Sequence, residues 1–337
     1  MNFEKADRMP LIEWAPYWTQ TIDRWYQEGL PSNLVRPEEV RGYFGLDSYL
    51  QFRFTPQSPN CPPPIHHGAP VINIKSIKDY QAFKEKGFLY PLPALDGRDT
   101  VHFGVLDKAS IRSASQQRQE GSSVVWFTFE GFFWFPRTLF GIEQHLYAFY
   151  DYPDVMQAMN QDLVDYYLKV LDEICKIVTP DFMTFAEDMS YNHGPMLSKK
   201  IFDKFLAPYY KQIVPELKRR GIVPIVDSDG DIMPLIPWLE EVGIEGILPL
   251  ERMAGVDVNK LRQQHPNFKL IGAFDKTIMH KGKDAMRAEF ERLLPVMKQG
   301  GFIASVDHQT PPDVSLQQYH VYIELLGEYA EKAAKDK

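Results

Sequence analysis

The chain has 337 residues, 44% of them hydrophobic and 24% charged, which are globular proportions and exclude a disordered polymer. A formal net charge of -8 and a pI near 5.6 argue against a surface built to neutralise nucleic-acid phosphates. No run of about 18 apolar residues exists to span a bilayer. The opening MNFEKADRMP lacks the apolar stretch of a secretory signal, and Cys61 and Cys175 lie far apart without a CxxC spacing. The expected setting is the reducing cytoplasm, with no membrane and no disulfide framework.

In chain order, residues 1–100 read as the irregular N-terminal portion of a single domain spanning 1–337. Within them PLIEWAP at 10–16 is a candidate strand. SPNCPPPIHHGAP at 58–70 is a loop, because its prolines remove backbone donors and fix φ. His66 and His67, adjacent in that loop, read as solvated rather than as ligands. Further strands are expected at VHFGVL, 101–106, and VVWFTFEG, 124–131. The second opens an aromatic block running to residue 154 that either fills a core or lines an apolar pocket, the core being the preferred reading. A long helix is expected for PDVMQAMNQDLVDYYLKVLDEICKIV.

From about residue 180 short apolar runs alternate with amphipathic segments. DFMTFAED precedes SKKIFDKFLAPYYKQIVPELKRRG, a helix with Ser198 as its N-cap, kinked or divided at Pro208 and Pro215. IVPIVDSDG leads into DIMPLIPWLEEVG, GILPLE into DVNKLRQQHP, KLIGAFDK into KDAMRAEFERLLPVMKQGG, and FIASVDH into DVSLQQYHVYIELLGEYAEKA. Nearly continuous apolar strands joined through helices require right-handed crossovers and a parallel sheet. Three earlier strands and these five make eight, so the expected fold is α/β, a (β/α)8 TIM barrel with N-terminal decoration. An open doubly wound sheet is the alternative, although no glycine-rich dinucleotide fingerprint is present.

In such a barrel the reactive groups project from the C-terminal strand ends into a shared mouth. The units end acidic: Glu187 and Asp188 after MTFA, Asp227 and Asp229 after IVPIV, Glu251 after GILPL, Asp275 after IGAF, and Asp307 with His308 after FIASV. Glu130 after VVWFTF and Glu13 after PLI extend the series. One such carboxylate commonly caps the following helix. Several converging on one mouth repel each other until a cation, a proton or a cationic substrate compensates.

Asp227 and Asp229, two apart on an extended segment, share a face. With His308 they are a candidate oxygen and nitrogen ligand set for a divalent metal such as zinc. Asp307 and His308 point opposite ways on a regular strand, so only one is expected inward unless a turn begins there. Glu187 and His193 join Asp227, Asp229 and His308 as candidate catalytic residues. His193 lies with Tyr191 and Asn192 in EDMSYNHGPMLS, a loop expected over the mouth, and is a candidate general acid. Trp126, Phe129 and Trp134 are candidates for contacting an apolar ring or a methylated ammonium. Glu130, Tyr191, Asn192, Glu251 and Asp275 are further substrate-binding candidates, and Arg137 is read as an anion-binding or pairing group.

The stretches FAEDMSYNHGPMLSKKIFDKFLAPYYKQIVPELKRRG, IVDSDGDIMPLIPWLEEVGIEGILPLE, LIGAFDK and GGFIASVDHQTPPDVSLQQY resemble the uroporphyrinogen decarboxylase superfamily. That superfamily also holds cobalamin-dependent methyltransferases acting on methanol, methylamines and aryl methyl ethers. The resemblance is good over 180–330 and weak before it, and it implies a (β/α)8 barrel. Two departures narrow what it implies. The decarboxylase's arginine-bearing RQAGRYLP-like motif has no counterpart in PLIEWAPYWTQTIDRWYQEGLP, and an acidic mouth is a poor partner for a substrate with many carboxylates. The zinc thiol-methylating relatives carry His-x-Cys where this chain has Asp227-Ser228-Asp229, and a later cysteine where it has Asp307-His308. A thiolate-rich site that activates a thiol acceptor is therefore not available.

What the resemblance then implies is a methyltransferase or demethylase component. It would move a methyl group from a small O- or N-methylated substrate, aromatic or not, to a corrinoid protein, so that cobalamin arrives on a partner. Carboxylates, with or without a divalent metal, would activate the leaving oxygen or nitrogen. One alternative is a carboxy-lyase acting on a small aromatic or heterocyclic acid. Another is a non-catalytic barrel that binds a small ligand.

Overall fold

The computed structural model describes residues 3–4, 8–63, 73–92, 99–101, 104–106 and 108–335; His66 and His67 lie outside them. Seven short strands form one parallel sheet: β1 (Tyr49–Phe54), β2 (Val124–Glu130), β3 (Phe182–Ala186), β4 (Val223–Asp227), β5 (Gly246–Leu248), β6 (Lys269–Phe274) and β7 (Phe302–Val306). Their spatial order is their chain order, and every neighbouring pair is parallel. Helices connect the successive strands, and the sheet curls into an α/β TIM-barrel-like fold.

The period of two along each strand sorts side chains between two cores. Tyr49, Trp126, Ile225, Leu248, Ile271 and Ile303 point inward and pack together inside the curl. The alternate residues, among them Phe127, Phe129, Phe185, Val226, Phe274 and Val306, belong to the larger core shared with the helices. Both faces are covered, which is why most of these strands read as unbroken apolar runs. The five strand-then-helix units expected after residue 180 are present. Ser198 caps the helix Lys199–Phe205 by accepting from Ile201 N at 3.3 Å, and the chain breaks at Leu206 before resuming as Ala207–Arg219.

The first half departs from expectation. VHFGVL at 101–106 is not a stave of the barrel; it contributes to a small antiparallel hairpin of Asp99–Val101 and Gly104–Leu106, outside the parallel sheet. PLIEWAP at 10–16 forms no strand, yet it fills the gap between β7 and β1. On one side Trp14 Nε1 donates to Val306 O at 2.7 Å, and Trp14 N to Ser305 Oγ at 3.4 Å. On the other, Asp47 N donates to Leu11 O at 2.8 Å, and the Tyr49 hydroxyl donates to the carbonyls of Glu13 and Trp14 at 3.1 and 3.0 Å. Pro10 and Pro16 bracket the segment without a donor for a ladder. The eighth place is thus closed by isolated bonds. The irregular portion expected over 1–100 also holds helices Thr19–Gln27, Pro37–Tyr43 and Ile77–Glu85, with Trp25 fully buried and its Nε1 donating to Val314 O at 2.9 Å. Among the described residues no helix is long and apolar enough to cross a membrane.

Candidate active site

The last inward positions of three strands are charged: Arg53 on β1, Glu130 on β2 and Asp227 on β4. The register aligns Glu130 with Ala186 and Ala186 with Asp227, so these two carboxylates share one layer at the C-terminal end of the curl, while Arg53 aligns with Thr128, one inward position lower. Burial pushes Glu130 up to about 7, with the charge of Arg53 and a hydrogen bond from Thr55 acting against it, and Glu130 Oε2 is buried without a hydrogen-bond partner among the described residues. Asp227 is set deep among protein atoms while part of its surface still faces the mouth. Burial first, then the charges of Asp229 and Asp188, hold its carboxyl well above the ordinary range, and no hydrogen bond among the described residues ends on it.

Beyond this layer the loops that follow β4, β5 and β7 converge. A carboxylate oxygen from each of Asp229 and Glu251 and an imidazole nitrogen of His308 lie within 4.8 Å of one another. Glu251 is held from two sides: Oε2 accepts from Gly230 N at 2.9 Å, and Oε1 from Lys276 Nζ at 3.3 Å. Gly230 has φ +84°, and a Cβ there would stand 2.7 Å from the Tyr191 backbone, so only glycine lets the neighbouring hairpin lie against this loop. His308 Nε2 is 3.7 Å from Asp229 Oδ2, an ion-pair separation rather than a hydrogen bond. Burial pulls the imidazolium down, but Asp229 outweighs it and holds His308 above its ordinary value. Trp14 stands edge-on to the His308 ring, 6.1 Å between centroids.

Asp188 follows β3 at φ +41°, and burial, then the charge of Asp229, pushes it up to about 6 against the pull of Arg137 and His308. Asp307 and His308 both reach this region, because β7 ends at Val306 and the chain bends there. Asp307 is completely buried. Its Oδ2 accepts from Arg252 N at 2.9 Å and its Oδ1 from Lys276 N at 3.2 Å, which ties together the loops after β5 and β6. Burial still leaves it at about 6, above the ordinary carboxylate range.

Several candidates stand elsewhere, for identifiable reasons. Asp227 is not in the trio, because β4 ends at Asp227 and the alternation that would pair it with Asp229 stops; Glu251 takes its place beside Asp229 and His308. Glu187 points away from the mouth. Its carboxylate accepts from Phe132 N (2.9 Å), Phe133 N (2.8 Å), Trp134 N (3.1 Å) and the Tyr210 hydroxyl, so it anchors the start of helix Trp134–Phe140. Burial nonetheless pushes it up to about 7. Phe129 stacks on Tyr167, 4.1 Å and 5° apart, on the helix side of β2 and so away from any ligand in the mouth. Trp126 points inward but lies low in the curl, with Nε1 donating to Thr184 Oγ1 at 2.9 Å.

Arg137 is buried and serves as a brace: Nη1 donates to Asp188 O at 2.8 Å, and the guanidinium lies 4.9 Å over the partly exposed Trp134 ring. Asp275 has the capping role, accepting from Thr277 N at 2.9 Å and Thr277 Oγ1 at 2.6 Å. Tyr191, Asn192 and His193 are exposed on a hairpin of Ser190–Tyr191 and Gly194–Pro195, with the Tyr191 and His193 rings edge to face at 5.8 Å. Sequence reasoning missed Arg53, on an unannounced strand, and Lys276, which looks like an ordinary surface lysine after a capping aspartate.

Two carboxylates and an imidazole from three strand ends are a donor set that fits zinc or another divalent ion, at metal–ligand distances of about 2.0–2.2 Å. Residues 137–329 match the family model described as uroporphyrinogen decarboxylase (URO-D). The chain belongs to the uroporphyrinogen decarboxylase family. Two curated uroporphyrinogen decarboxylases of Caulobacter vibrioides, from strains NA1000 / CB15N and ATCC 19089 / CIP 103742 / CB 15, are each 23% identical to it over 177 residues. The alignment takes in 52% of this chain and 48% of each relative, so it spans about half the length of the family members it matches. A solved structure of a methyltransferase from Methanosarcina mazei superposes over 97% of this chain and 96% of that one, with a TM-score of 0.61 at 15% identity. That likeness is one of fold.

Proposed function

We propose that this family member is a methyltransferase or demethylase component, which takes a methyl group from a small O- or N-methylated compound and passes it to a corrinoid protein. The observation that carries the reading is the trio of Asp229, Glu251 and His308 gathered beyond Asp227 at the strand ends. Breaking a methyl–oxygen or methyl–nitrogen bond in this direction leaves the electron pair on the heteroatom, which then needs a proton or a positive charge. A zinc or similar ion held by Asp229, Glu251 and His308 would supply Lewis-acid polarisation of that heteroatom. Asp227 accepts no hydrogen bond from the described residues, so its carboxyl is available to hand the heteroatom a proton. Trp14 and Trp134, both partly exposed, offer apolar walls for the methyl group or an attached ring. The name of the Methanosarcina mazei neighbour agrees with methyl transfer. The free thiols of Cys61 and Cys175 suit a reducing, cytoplasmic setting.

The family name favours a second reading, a carboxy-lyase acting on a small aromatic or heterocyclic acid. There Arg53 would meet the substrate carboxylate while Asp227 balanced positive charge on a protonated ring. Elemental analysis of the purified chain, followed by a methyl-donor screen with reduced cobalamin, separates the two. The expected result is stoichiometric divalent metal and donor-dependent formation of methylcobalamin. Asp227→Asn should lower kcat by roughly 10²–10⁴-fold while leaving the metal content unchanged. Carbon dioxide release from a small acid with no methyl transfer would instead select the carboxy-lyase.

A further inference from the structure

Lys276 stands among the carboxylates of the mouth, with its side chain only 16% exposed. Its Nζ lies 3.3 Å from Glu251 Oε1 and 3.6 Å from Asp307 Oδ1. The two acceptors differ in kind. Glu251 belongs to the trio, and its second oxygen is held by Gly230 N. Asp307 lies outside the trio, is fully buried, and is fixed by the backbone N–H groups of Arg252 and Lys276 whether or not the ammonium touches it. A divalent ion that ligates Glu251 meets an ammonium already on that carboxylate, and two like charges sharing one carboxylate repel. The ammonium has a short route out, since Asp307 Oδ1 is already within ion-pair distance of it.

We propose that Lys276 is the resident counter-ion of the trio: a divalent ion displaces its ammonium from Glu251, and the ammonium then rests on Asp307. This inference rests on reading Asp229, Glu251 and His308 as a divalent-ion site. Lys276 then competes with the ion, so the lysine weakens binding even though it lies in the site. Asp307 acts in the opposite sense, because it receives the displaced charge.

The test is zinc titration of the full metal-stripped chain at fixed neutral pH, read by competition with a chromophoric chelator, with thermal unfolding confirming that each variant is folded. Lys276→Met and Lys276→Gln are each expected to bind zinc about tenfold more tightly than the parent, and Asp307→Asn about tenfold more weakly. In the double variant Lys276→Met, Asp307→Asn, the affinity should return to that of Lys276→Met, because no displaced ammonium remains to be accommodated. Zinc binding that is unchanged or weaker in both Lys276 variants overturns the proposal. An Asp307→Asn loss that persists without the lysine overturns the role given to Asp307 and assigns the loss to its charge acting directly on the ion or to loop distortion. Failure of the parent and of every variant to bind zinc would instead remove the divalent-ion reading itself, and this inference with it.

Discussion

Glu13 sits in the seam between β7 and β1 with 1% exposure, its carboxylate accepting from Ser305 Oγ at 2.5 Å and the Tyr319 hydroxyl at 3.4 Å. The Tyr17 hydroxyl meets that of Tyr319 at 3.0 Å; two hydroxyls and the Val306 backbone N–H are thus the immediate partners of Glu13, and the charge that draws it down is that of Arg41. Burial dominates and pushes Glu13 up to about 8 from an ordinary 4.5. The folded state therefore keeps a proton that the unfolded state releases between those two values. Fewer protons on the unfolded chain mean that stability falls as pH rises through this window, by roughly 4–5 kcal/mol at most. Above about pH 8 both states are ionised and the whole cost is expressed. Glu13→Gln keeps the shape and removes the titration, so its melting temperature should rise relative to the parent between about pH 5 and pH 8.5. A difference that stays flat across that range would mean that Glu13 is not the protonated group.

The turn from β2 into helix Trp134–Phe140 wraps around one carboxylate. Three consecutive backbone N–H groups, from Phe132 to Trp134, point at Glu187, and a Cβ on Gly131 would collide with that same carboxylate. Gly131→Ala should therefore displace Glu187 and leave buried donors unpaired, at a cost of about 2–4 kcal/mol in urea unfolding. A loss below about 0.5 kcal/mol would show that the turn relaxes freely. Glu187 and its neighbour Asp188 look alike in FAEDMS, but one organises a helix start and the other lies beside Asp229, whose charge it meets. Asp275 follows its strand directly, where Asp227 is the last residue of its own, and caps a turn. The C-terminal strands were legible because both of their faces are apolar. Strand β1, YLQFRF, was not, because its inward residues Tyr49, Gln51 and Arg53 break the apolar run. Direction beyond the last strand residue is set by loop hydrogen bonds between distant segments, and local sequence carries little of that information.

Across the whole molecule the sheet closes unevenly. β2 to β6 each have a hydrogen-bonded strand on both sides, whereas β1 and β7 have a strand on one side and the Pro10–Pro16 segment on the other. The family match begins at residue 137, so β1, β2 and this seam lie outside the shared part. Local stability should follow the uneven closure of the sheet, since opening costs least where few bonds must break together. In hydrogen exchange, the alternate amides of β1 and β7 that face the seam should exchange before any amide of β3 or β4. Trp14→Phe removes the bond from Nε1 to Val306 O while keeping an aromatic ring beside His308. Losing about 1 kcal/mol there should speed exchange roughly fivefold in β1 and β7 and leave β3 and β4 unchanged. An equal acceleration in all strands would mean that the barrel opens as one unit, and that the isolated bonds of the seam hold it as firmly as a ladder does.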